Sequence, residues 1–200
     1  MARARNVTHQ QAMDAAQDLF WQNGYNAVST RQIEEQTGLT RFTLQREYGG
    51  KKSFFLATLD HYLSTDFTIF LPLPSGQVLP AITQWFENIT QREYFKEAQE
   101  KGCLLRTAVN EFPRGDQDVD HRIEQYFENL RRCFVDALEL GKNRGELKPD
   151  LDIQSKVDIL IATLIGGAVL RQAGKIDSAH RTLETAIPNM ILEWANDKGV

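Results

Sequence analysis

TRQIEEQTGLTRFTLQREYGGKKSF, residues 30–54, spells two short helices about a tight turn, with a third helix opening behind them. Ser29 stands where an N-cap belongs, and Gln32 three positions on can bond back to it, the reciprocal pairing of a capping box. Ile33 is the inward anchor of the helix that follows. Gly38 comes after Gln36 and Thr37, where that helix must stop, because glycine takes the left-handed conformation at no steric cost. Thr40 then caps a second helix of about two turns through Tyr48. Leu39 and Leu44 face inward, which leaves Arg41, Thr43, Gln45 and Arg46 outward.

A helix, a glycine turn and a second helix whose outer face carries arginine, threonine and glutamine suit a helix-turn-helix, which lays its second helix in the DNA major groove. The same hairpin occurs in proteins that never touch nucleic acid, so caps and periodicity alone leave both readings open.

The order and spacing of Leu19-Phe20, Gly24-Tyr25, Ser29-Thr30, Ile33, Gly38-Leu39-Thr40, Thr43-Leu44, Tyr48 and Lys51 before Phe54 resemble the TetR family of one-component bacterial regulators. The resemblance covers roughly the first fifty-five residues. It implies an all-α protein of about nine helices. Residues 1–50 would form a helix-turn-helix DNA-binding domain, and residues 51–200 an effector-binding and dimerisation body. It also implies contacts to double-stranded DNA from Thr30, Thr40, Arg41, Thr43, Gln45, Arg46, Tyr48 and Lys51.

The chain departs from the family pattern in places. Glu34 follows the isoleucine where a small residue is usual, and Phe42 stands where the recognition helix often has glycine. Gln45 and Glu47 replace a usual tyrosine and histidine. The lost tyrosine removes one phosphate contact, while Gln45 can pair with adenine N6 and N7. An operator sequence therefore does not carry over from relatives.

Two hundred residues, 42% of them hydrophobic, suffice for one large domain or a small module plus a larger one. Two cysteines make no disulfide framework, and the N-terminus reads as no apolar leader, so a cytoplasmic protein is expected. The net charge of −4 is uneven: residues 1–52 hold seven Lys/Arg against five Asp/Glu, and the remainder sixteen against twenty-two. A mildly basic head on an acidic body suits a protein that presents one end to phosphates, and a plain solvated surface explains it nearly as well.

Along the chain, Arg3 and Arg5 lie in a polar arm before Thr8, which caps a helix with Gln11 completing the box. That helix buries Ala12, Ala16, Leu19 and Phe20 and stops at Gly24, with Tyr25 and Val28 as core. Gly49-Gly50 breaks the chain, and Lys51-Lys52 opens a helix expected to run to about Phe70. Lysines at a helix N-terminus make a phosphate site, since free N–H groups and the dipole add to the side-chain charge. Prolines and a glycine in Leu71 to Pro80 mark a loop.

From about Val78 to Ala98 an apolar stripe of Ile82, Trp85, Phe86 and Ile89 either fills a core or walls a ligand pocket. Gly-Cys-Leu at 102–104 resembles a body motif of family members in which such a cysteine senses electrophiles. Cys103 is either that thiolate or a small buried apolar residue, and Cys133 lies mid-helix. A long helix from about Asp116 to Leu140 carries Val119, Ile123, Tyr126, Phe127, Leu130, Phe134 and Leu138 at helical steps, with Gly141 to Pro149 as the next break. The effector contacts expected from these helices are Trp85, Phe86, Ile89, Cys103, Tyr126, Leu130 and Phe134.

Val157 to Leu170 is apolar around most of its circumference and, at fourteen residues, too short to span a bilayer, so no membrane partner is expected. Such a helix must be covered twice, once by its own core and once by something else. With a last helix from Asp177 to Trp194 it is expected to form a two-fold dimer interface through Leu160, Leu164, Gly167, Leu183, Ile187, Met190 and Ile191.

The histidines at 9, 61, 121 and 180 make no pair at metal-ligand spacing, and no phosphate loop or nucleophile elbow occurs, so neither metal, cofactor nor catalytic residue is expected. The functional expectation is a homodimeric repressor released from a palindromic operator by a small molecule. The alternative is a helical ligand-binding protein or small enzyme on the same fold without operator binding.

Overall fold

The computed structural model describes residues 7–65, 76–91 and 103–196; the Arg3 and Arg5 arm, Phe70, Tyr94, Phe95 and Lys101 lie outside them. Helices dominate the described residues, whose only β pairing is a bridge between Leu147 and Ala195. The fold is all-α. The chain forms two compact units, residues 1–68 with 103–126, and residues 69–102 with 127–200.

In the first unit α1 (His9–Asn23), α2 (Thr30–Thr37) and α3 (Arg41–Tyr48) are followed by α4 (Lys51–Ser64), and α6 (Leu104–Glu111) packs against α1 and α4. Local chemistry fixes these boundaries. Both capping boxes form, Thr8 with Gln11 and Ser29 with Gln32, while the Thr40 hydroxyl accepts from the Thr43 N–H. Gly24, Gly38 and Gly49 end α1, α2 and α3 with φ of 79°, 73° and 79°, conformations that a side chain would strain.

The core of this unit is aromatic. Phe20 meets Phe55 edge-on at 5.0 Å, Tyr25 lies 4.6 Å from Phe112, and Phe55 stacks on Phe112 at 5.4 Å. Met13 and Trp21 are buried in α1 beside the four residues expected there. Val28 is buried as expected, whereas Tyr25 and Leu39 are half-buried.

The second unit contains α5 (Val78–Gln91) and α8 (Ile153–Gln172). Its chain closes through α9 (Ile176–His180), a π-helical stretch Arg181–Ala186 and α10 (Ile187–Leu192). The long α7 (Gln117–Asn143) contributes its residues to 126 to the first unit and the rest to the second. It continues through Gly141, where a break was expected. A Cβ there would lie 3.0 Å from Val78 and 3.1 Å from Leu147, so that glycine serves close packing. Gly145, with φ 72°, makes the turn instead. Likewise α5 opens at Val78 and takes in Pro80, which an early helical turn accepts because its N–H has no helical partner there.

Trp85, Phe86 and Phe134 form a ring cluster, with Trp85 at 5.1 Å from Phe86 and 5.2 Å from Phe134. Gly167 lets α8 approach the π-helical stretch so closely that a Cβ would lie 2.7 Å from the Leu183 side chain. At 20 residues α8 is longer than its apolar run, and by length and hydropathy alone it could cross a bilayer. Its inward face, Val157, Leu160, Ile161, Leu164 and Ala168, is instead buried in the unit.

Candidate nucleic-acid interface

Only Leu44 of α3 is buried, so nearly the whole helix is committed outward. Arg41, Phe42, Gln45, Arg46 and Glu47 are exposed, and Thr43 and Tyr48 half-exposed. Phe42, at 71% exposure, is the most exposed large hydrophobic residue described. The Arg46 guanidinium lies 5.5 Å from the centre of its ring and 2.7 Å from the Glu47 carboxylate.

The α2–α3 turn is fixed from both sides. The Thr37 hydroxyl donates to the Ile33 carbonyl and accepts from the Leu39 N–H, and the Glu34 carboxylate accepts the Arg41 N–H at the first position of α3. Glu34, out of pattern in sequence, thus supplies an acceptor to an N–H with no helical partner.

The remaining expected contacts divide by what already holds them. Thr40 and Thr43 share a hydroxyl pair at 3.0 Å, and the Gln45 amide donates to the Gly49 carbonyl, so reading an adenine requires Gln45 to leave that bond. The Tyr48 hydroxyl lies 3.1 Å from His9 Nδ1, its ring 4.7 Å from Phe54, and burial raises its pKa. Thr30 opens α2 half-buried. The Lys51 ammonium sits 4.3 Å above the Tyr25 ring, where burial lowers its pKa against the pull of Glu111. Lys52 is paired with Asp116 at 2.7 Å. No side chain caps α4 at Gly50. Its first N–H groups and Lys51 together can meet a phosphate once Lys51 swings from the ring.

One determinant was not legible in sequence. The Glu111 carboxylate reaches back 86 positions to accept the Tyr25 N–H at 3.2 Å and also accepts the Asn26 N–H at 2.6 Å. A Cβ at Gly24 would lie 2.2 Å from Glu111 Oε1, so a side chain there, besides straining φ, would push that carboxylate from these bonds. Arg122 adds a two-pronged pair with Asp60 at 2.7 and 2.6 Å. The turn ahead of the helix-turn-helix is therefore held by Glu111 and Phe112, far along the chain.

The other expected sites fall as follows. Trp85, Phe86, Ile89, Leu130 and Phe134 are buried in the packed core of the second unit. Cys103 is the N-cap of α6, its Sγ 3.6 Å from the Tyr62 hydroxyl and 3.9 Å from that of Tyr126 in the first unit. Burial pushes the Tyr126 phenol well above its ordinary range, with Cys103 adding to the shift. A surface groove of about 510 Å³ in the second unit is lined by other residues, among them Leu79, Thr83, Glu87, Pro188 and Leu192.

Leu160, Leu164, Gly167, Leu183, Ile187 and Ile191, expected at a dimer interface, are buried within the protomer's own second unit, and only Met190 is half-exposed. The exposed residues of α8 are Gln154, Ser155 and Asp158 near its start and Ala162, Gly166 and the 47%-exposed Val169 beyond them. Among the described residues no group of three His, Cys, Asp or Glu is placed to hold a metal.

An all-α chain with a capped helix-turn-helix and a recognition helix open on its outer face has the build of a DNA-binding protein, and its relatives make it a ligand-responsive transcriptional regulator. The sequence profile of the bacterial regulatory proteins of the tetR family matches residues 12–58, and that of the tetracyclin repressor-like C-terminal domain matches residues 78–187. The chain belongs to the TetR family. It is 33% identical over 144 residues to the HTH-type transcriptional repressor BdcR of Escherichia coli (strain K12), covering 68% of each chain. A TetR-family regulator from Cytophaga hutchinsonii shares the fold with a TM-score of 0.84 at 14% identity, over 99% of this chain and 100% of that one. The regulator CifR, solved as a cysteine mutant with a 26-base-pair double-strand operator DNA, matches at TM-score 0.77 and 19% identity, over 96% and 100% of the two chains.

Proposed function

We propose that this regulator is a cytoplasmic repressor, binding a palindromic operator as a homodimer and released by a small molecule held in its helical body. The observation that carries the proposal is α3, which buries Leu44 alone and turns Arg41, Phe42, Gln45 and Arg46 outward. BdcR, a relative, is a repressor, and CifR binds an operator duplex, which supports the same for this chain. Arg41 and Arg46 bring the charge and the bidentate donors that phosphates and guanines accept. Lys51 and the start of α4 take a phosphate.

A dimer supplies two copies of α3 for half-sites about 34–36 Å, or a multiple, apart. Its contact is the apolar outward face of α8, at Ala162, Gly166 and Val169, which the protomer leaves uncovered. The effector enters the aromatic core of the second unit, where the rings of Trp85, Phe86 and Phe134 part to admit it. By linkage it weakens operator binding only by as much as it prefers the released conformation.

The test is selection of bound sequences from fragmented source DNA, then fluorescence anisotropy on the winner at two salt concentrations. A palindrome bound tightly, and weakened by Arg46→Ala and by salt, is the expected result. Weak, sequence-blind binding would favour instead a ligand-binding protein on the same fold.

A further inference from the structure

The outward face of α3 carries one group that no polar contact can satisfy. Phe42 is 71% exposed in the middle of a surface otherwise made of arginines, glutamine and glutamate. An isolated exposed phenylalanine is ordinary on a protein surface. This one differs in its neighbours: it stands one turn before Arg46, whose guanidinium lies over its ring, and directly after Arg41. Those two cations bring the ring against the same DNA that they contact.

The chemistry of the major groove then leaves one partner. Base edges there present acceptors, amino donors and a single apolar group, the C5-methyl of thymine. A phenyl ring has no hydrogen to offer the acceptors and only a weakly accepting π-face for the donors, so its largest gain comes where it covers that methyl. We propose that Phe42 is a specificity-determining residue of the recognition helix and that it reads thymine through its 5-methyl group. The inference rests on the reading of α3 as the operator-contacting helix.

Its neighbourhood adds a constraint. Residues four apart on a helix lie about 6 Å from each other, and successive bases on one strand about 3.4 Å. The thymine read by Phe42 therefore lies within one or two base pairs of the base that Arg46 contacts. The Arg46 guanidinium lies 5.5 Å from the ring centre and 2.7 Å from the Glu47 carboxylate, so the ring and the guanidinium are placed to read neighbouring bases.

The test removes the methyl and nothing else. In the selected operator each thymine is replaced in turn by deoxyuridine, and the full-length chain and Phe42→Ala are titrated by anisotropy. Covering one methyl corresponds to about a fourfold change in affinity per half-site. At one thymine in each half-site, the symmetric replacement is expected to weaken the parent by roughly fifteenfold, and Phe42→Ala is expected to bind both duplexes equally. Phe42→Leu, still apolar, restores part of the difference. If Arg46→Ala weakens binding but no thymine methyl matters, or the loss persists in Phe42→Ala, the inference is overturned while the regulator stands. If no duplex is bound in an Arg46-dependent way, both fall.

Discussion

The helices α3 and α8 use their surfaces in opposite ways. α3 buries one leucine fully, rests Tyr48 on Phe54 and turns most of the rest to solvent. α8 is apolar on nearly every side, buries Val157, Leu160, Ile161, Leu164 and Ala168, and still leaves Ala162, Gly166 and Val169 outside. In both, the residues available to a partner are those that the fold does not consume. In α3 these are mostly polar, with Phe42 among them, and point to nucleic acid, whereas in α8 those beyond Asp158 are small and apolar and suit a second copy of the chain.

The sharpest way to break this comparison is to change the two faces of α8 separately. Leu160→Ala is expected to lower the unfolding free energy by about 2–5 kcal/mol, read by urea denaturation, because it opens a cavity in a packed interior. Val169→Glu should keep its helical circular dichroism yet sediment as a monomer, since it sets a charge into the proposed contact at a cost of about 3 kcal/mol or more. A Val169→Glu chain that remains dimeric would move the interface elsewhere.

The outward face of α3 predicts the reverse pattern, in which binding changes and folding does not. Arg46→Ala is expected to lower operator affinity by about 1–3 kcal/mol with an unchanged melting temperature. Lys51→Ala should weaken all duplexes alike and reduce the salt slope by about one. Equal salt slopes for the two variants would remove the distinction between base reader and phosphate contact.

Glu111 tests what holds α3 in place. Glu111→Ala strands the Tyr25 and Asn26 N–H groups and should cost about 1–2 kcal/mol in thermal unfolding, with Glu111→Gln losing less. No loss in either variant would mean that the turn needs no acceptor.

The smallest effect is electrostatic. Lys52 bonding holds the Asp116 carboxyl below its ordinary pKa, and bonding to Asp116 raises that of Lys52. The Asp116 contribution is thus present above the ordinary aspartate range and lost as pH falls through its lowered value; that of Lys52 is lost as pH rises through its raised one. The denaturation midpoints of the parent and Asp116→Asn should differ at neutral pH and converge in acid.

What could be read from the sequence divides along the same line. Ser29 with Gln32, Gly38, Thr40 and Gly49 bound α2 and α3 through bonds three or four residues long, so the head was legible residue by residue. The Glu111 bonds join positions 85 and 86 residues apart and leave no local trace. α8 was harder to read: a helix apolar over most of its circumference has little polar face to show which side is inward. Its largest residues were therefore expected at the interface, and the protomer's core holds them. Gly141 reads as a stop in sequence because only the packed structure brings Val78 and Leu147 against it.

The central claim is that two copies of α3, held by a dimer, read one operator. A hydroxyl-radical footprint of the full-length chain on the selected duplex tests it most directly. Two protected segments related by a dyad, their centres about 10 base pairs or a multiple apart, are the predicted result. One protected segment, or two without that symmetry, would contradict it.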